Sequence, residues 1–120
     1  IQQYFTALEK KTYDSQEEEL FIRLRIWWSF NDRVRKGNPL FKNELEQTLW
    51  LDNVQGLVRM LDHENIDHRI MIAELYRGMG NFTKCIEIVS SISDPKLDWL
   101  KEGFIEECDK GNKLVFKLRN

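Results

Sequence analysis

Two cysteines, two histidines and two prolines in 120 residues leave this chain poor in the side chains that most often carry chemistry. Cys85 and Cys108 both fall inside apolar helical patterns, and no Cys-x-x-Cys occurs, so they read as small core residues and not as a disulfide framework. That usage predicts a reducing, cytoplasmic setting. Apolar runs never approach the roughly 18 residues that a membrane span needs, which argues against a membrane partner. The start, IQQYFTALEKK, has neither an apolar signal segment nor a leading Met, and reads as the interior of a longer gene product.

Other absences exclude catalytic classes. No Ser sits in a nucleophile-elbow setting, and Gly78-Met79-Gly80 lacks the third glycine of a phosphate loop. The acidic clusters Glu17-Glu18-Glu19 and Glu106-Glu107 occupy polar helix faces, where nothing drives two carboxyl pKa values apart. His63 and His68, near Glu64 and Asp67, are five residues apart across a helix boundary, whereas two imidazoles share a helical face at i, i+4. They read as solvated turn residues. The chain is therefore expected to be no enzyme and to hold no metal or cofactor.

What is present is helical periodicity. Hydrophobic residues make up 42% and charged residues 32%, consistent with one domain and a single core. Ser15 and Glu18 form a capping box that starts a helix. Behind it Leu20, Phe21, Leu24, Trp27 and Trp28 make a wide apolar stripe, flanked by Ile22 and Ile26, which predicts a central helix covered on more than one side. Gly37-Asn38-Pro39 ends it. A further helix runs from near Asn43 to about Asp62 through Leu51, Val54, Leu57, Val58 and Leu61, with Gly56 inside as a sign of close approach. Asn65 or Asp67 caps the next, with Ile72, Leu75, Tyr76 and Met79 on its stripe and its end at Gly80. Phe82, Cys85, Ile86, Val89 and Ile92 form the stripe of its successor, and Asp94-Pro95 opens a last helix carrying Leu97, Leu100, Phe104 and Cys108 to Gly111.

The predicted fold is all-α: about five to six helices in antiparallel hairpins, as an array or small bundle. The expected division is 1–62 for N-terminal helices, 66–95 for one hairpin, 95–111 for a capping helix and 113–119 for an extended tail. In that tail Leu114, Phe116 and Leu118 alternate with Lys113, Val115 and Lys117, a period-two pattern. It is expected to pack on the helices as an arm, or alternatively to pair two copies by strand addition into a homodimer.

Residues 72–95 resemble a tetratricopeptide repeat. Ala73 stands at the small position of the first helix, Tyr76 at the large one, Gly80 at the turn, Phe82 at the following aromatic, Cys85 at the small position of the second helix and Pro95 near the terminal proline. The resemblance implies a non-enzymatic scaffold that binds a protein or peptide segment, or a neighbouring domain of its own chain, in a groove lined by first helices. The family's Lys and Asn clamp for a terminal carboxylate is replaced by Ile70 and Glu74, which implies an apolar or basic ligand. The expected surface is the exposed side of that helix, Ile70, Glu74 and Arg77, with the basic Arg33, Arg35 and Lys36 beside it if the helices stack.

The alternative is nucleic acid. In residues 23–36, Trp27 and Trp28 stand among Arg23, Arg25, Arg33, Arg35 and Lys36, a composition suited to stacking on bases and pairing with phosphates. A net charge of −2 weighs against it, as does the place of the tryptophans on an apolar stripe.

Overall fold

The computed structural model describes residues 2–10 and 15–116. Six α-helices follow one another: α1 (Gln2–Lys10), α2 (Gln16–Arg35), α3 (Glu44–Met60), α4 (Ile66–Gly78), α5 (Phe82–Ser90) and α6 (Asp98–Asp109), the last preceded by a short 3-10 turn, Pro95–Leu97. No strand occurs among the described residues. None of their helices is long and apolar enough to cross a membrane.

Local signals fix the boundaries. Ser15 Oγ accepts from the Glu18 amide at 3.2 Å, Asn65 Oδ1 from His68 at 3.1 Å and Asn81 Oδ1 from Lys84 at 3.1 Å, each satisfying an amide that helix geometry leaves orphaned. Asp94 caps the 3-10 turn in the same manner, and α6 proper begins only at Asp98, three residues after the expected start. Three helices close identically. After α4, the Gly80 amide donates to the Arg77 carbonyl and the Asn81 amide to the Tyr76 carbonyl, both at 2.9 Å, with Gly80 at φ +82°. Gly37 after α2 and Gly111 after α6 repeat this pair of bonds.

Two compact units result, Ile1–Met60 and Leu61–Asn120, where the sequence reads as one domain with a single core. In the first, α2 packs on both α1 and α3. Its core is strongly aromatic: Phe5, Phe30, Phe41 and Trp50 form a chain of edge-on rings with centroids 6.1, 5.9 and 5.6 Å apart, each such pair adding about 0.5–1.5 kcal/mol beyond burial. Ile26, Trp27, Val54 and Leu57 complete it. The expected stripe on α2 is corrected here. Ile26, Trp27 and Phe30 are its buried residues, while Phe21 is 53% and Trp28 40% exposed. The apolar arc of α2 is wider than the surface α1 and α3 offer it, so one margin is left out. Gly56 does face a close neighbour, but that neighbour is the Arg23 guanidinium and not a helix backbone.

In the second unit α5 packs on both α4 and α6. Ala73, Cys85, Val89, Leu100, Phe104 and Cys108 form its buried cluster, with Ile70, Tyr76, Phe82 and Phe116 against it. The free thiols of Cys85 and Cys108 lie within hydrogen-bonding reach of each other, and burial pushes both up. The expected tail lies partly outside the described residues, at 117–119. Its described part, Lys113 to Phe116, is neither helix nor strand.

Candidate functional site

The six residues expected to line a binding surface divide three and three between the units. Arg33 is near the end of α2, where its Nη1 and Nη2 donate to the two Glu46 carboxylate oxygens at 2.7 and 3.0 Å. Nη1 also donates to the Leu40 carbonyl at 3.2 Å, and the guanidinium lies 4.9 Å from the Phe30 ring centre. Glu46 in turn accepts from the Lys42 amide at 2.7 Å. This bidentate grip, the strongest form of side-chain ion pair, draws the Glu46 carboxyl down to about 2. Arg33 thus clasps the α2–α3 connection and is only half-exposed. Arg35 is exposed, with a 2.9 Å surface ion pair to Asp32, and Lys36 is exposed at the C-cap.

On α4 the expectation of an open surface fails for Arg77, which is fully buried. Its Nη1 donates to the carbonyls of Asn112 at 2.6 Å and Leu114 at 2.9 Å, its Nη2 to Glu74, and its guanidinium lies 4.5 Å from the Phe116 ring centre. Phe116 meets Phe104 edge-on at 5.7 Å. Residues 112–116 therefore cover this side of α4, and Ile70 and Glu74 beside it are half-buried. A sequence signal for this existed. Arg77 stands four residues after Ala73, on the helix face whose small residue marks it as inward.

A surface that sequence reasoning missed lies between α4 and α5. A cleft of about 530 Å³ is lined by Arg69, Ile72 and Tyr76 from α4, by Lys84, Glu87 and Ile88 from α5, and by His63, Glu64 and Ser91 beyond the helix ends. Both helices contribute at three- and four-residue steps, so one face of each forms a wall. The apolar side chains Ile72, Tyr76 and Ile88 sit among charges of both signs. Arg69 donates to Ser91 Oγ, and Lys84 pairs with Glu87 at 3.4 Å.

His68 departs from the solvated role expected of it: half-buried, it accepts through Nδ1 from the Asp62 amide at 2.9 Å and so helps hold the turn before α4. His63 is exposed at the cleft. No group of three or more His, Cys, Asp or Glu side chains suited to one metal ion occurs among the described residues.

The Arg/Trp segment is dispersed by folding. Trp27 is buried and Trp28 is not. Arg23 donates to Glu19 at 3.0 Å, and Arg25 alone of the four arginines lies between aromatic rings, 5.0 Å from Phe21 and 5.7 Å from Trp28. Compared with known proteins, the chain matches no family model, no curated protein and no solved structure.

Proposed function

We propose that this chain is a non-enzymatic helical interaction module, a tetratricopeptide-like array of antiparallel hairpins, that holds a segment of a protein partner in the α4–α5 cleft. The observation that carries this reading is the cleft itself, about 530 Å³ with Ile72, Tyr76 and Ile88 in it and Arg69, Lys84, Glu64 and Glu87 around them. An apolar interior with a polar surround is the anatomy of a peptide site: the anchor side chain supplies affinity and the charges select its neighbours. The volume suits a few side chains of an extended segment. Opposite charges on the rim favour a ligand with charges of both signs flanking one apolar anchor.

Residues 112–116 act in this reading as an arm laid on the other side of α4, which leaves the α4–α5 side for the partner. Nucleic acid is the weaker reading. Arg23, Arg33 and Arg35 are each engaged by a carboxylate, which reduces the positive field that phosphate binding depends on.

Selection from a displayed random-peptide library, followed by calorimetry on the enriched peptides, tests the proposal. Enriched sequences should share one apolar anchor with flanking charges, and Lys84→Glu/Glu87→Lys should weaken them about tenfold or more while leaving the far-UV spectrum unchanged. Peptides that bind this double variant as tightly as the parent would remove the cleft from consideration.

A further inference from the structure

The exposed margin of α2 has a regularity that its packing within the first unit does not use. Glu18, Phe21, Arg25, Trp28, Asp32 and Arg35 are all exposed, and they succeed one another at steps of three, four, three, four and three residues. That is the seam spacing of helices that pair side by side. At 1.5 Å per residue it runs about 26 Å along one helix face. Its centre is apolar and cationic, with the Arg25 guanidinium between the Phe21 and Trp28 rings. Its ends are charged oppositely: Glu17, Glu18 and Glu19 occupy the first turn of α2, Arg33 and Arg35 the last, and Lys36 the cap.

A strip with this polarity is complementary to itself in one orientation only. Two copies laid parallel set acid on acid and base on base. Laid antiparallel about a twofold axis between positions 26 and 27, Glu18 faces Arg35 of the second copy, Phe21 faces Asp32, and Arg25 faces Trp28, each contact occurring twice. The helix dipoles also oppose in that arrangement. Exposed Trp, Phe and Arg at the centre of a strip are the residue types that dominate association energies.

We propose that α2 is a self-docking surface through which two copies of this chain pair antiparallel, independently of the α4–α5 cleft. The occupant is a second copy because the charge order on the strip is its own complement. A single helix face is small beside the interfaces of permanent dimers, so the dimer is weak and concentration-dependent.

Sedimentation velocity of the full chain over a wide concentration range tests this. The expected result is a monomer–dimer equilibrium. Trp28→Ser should shift it to monomer with the far-UV spectrum retained. Glu18→Arg and Arg35→Glu should each raise the dissociation constant about tenfold, and the double variant Glu18→Arg/Arg35→Glu should return it close to the parent's, because antiparallel pairing restores both contacts. A monomer at every concentration overturns the proposal, as does a dimer indifferent to Trp28→Ser. Failure of the double variant to recover overturns the antiparallel register. A single-stranded oligonucleotide bound by the parent monomer and lost in Trp28→Ser reassigns the strip to nucleic acid.

Discussion

Each unit uses one arginine in the same manner, and the two differ in depth. Arg33 and Arg77 both hold a carboxylate, both donate to backbone carbonyls of a segment that follows their helix, and both lie against a phenylalanine ring. Arg33 keeps 17% of its side-chain surface in solvent, whereas Arg77 keeps none. The planar, five-donor guanidinium explains why arginine serves in both places, since a lysine cannot meet acceptors on several sides at once. Water can replace part of what Arg33 provides. It cannot do so for Arg77, so the same set of contacts is an adjustable clasp in one unit and an obligatory one in the other.

Removing the buried member should separate them most sharply. Arg77→Met leaves Glu74 without its cation and strips the Asn112 and Leu114 carbonyls of a donor, which should cost about 3–5 kcal/mol. Urea unfolding of parent and variant measures this, and residues 112–116 should then become accessible to protease under native conditions. A loss below 1 kcal/mol would mean that these contacts contribute little.

Glu46→Gln, on the clasp of the first unit, should cost less, about 1–3 kcal/mol, because part of the pair is solvated. Its pH dependence sharpens the contrast. The Glu46 carboxyl is drawn from 4.5 to about 2 by Arg33, so its contribution is complete above pH 4.5 and is lost as pH falls toward 2. Acid titration followed by tryptophan emission, to which Trp27 and Trp50 of the first unit contribute, should show an earlier loss in the parent than the 46Gln background can add to. A parent and variant with the same acid-induced decrement would contradict the grip. The smallest effect belongs to Arg35→Ala. Its ion pair with Asp32 is more than half exposed on both sides, so the far-UV melting curve should move by no more than about 0.5 kcal/mol.

The features legible in the sequence were those whose cause is local. Ser15, Asn65 and Asn81 announce helix starts because a cap bonds to an amide three residues on, and Gly37, Gly80 and Gly111 announce ends because few other residues adopt positive φ. The all-helical class followed from those signals and the 3.6-residue period. Two features stayed hidden because their causes are remote. Which margin of α2 is buried depends on where α1 and α3 lie, and its apolar arc does not say. The burial of Arg77 depends on acceptors 35 and 37 residues away. The α4–α5 cleft was hidden for a different reason: its lining mixes apolar and charged residues at ordinary helical spacing, so no single stripe stands out.

The Arg23 guanidinium occupies the space beside Gly56, where even a methyl group would come within 2.5 Å of Nη1. Neither position is then at liberty to change by itself. A larger residue at 56 demands a shorter one at 23, and a shorter one at 23 opens a gap that only a larger residue at 56 refills. Descendants of this sequence should therefore keep both or exchange both, and the pair would stand out as a coupled column wherever enough of them are gathered.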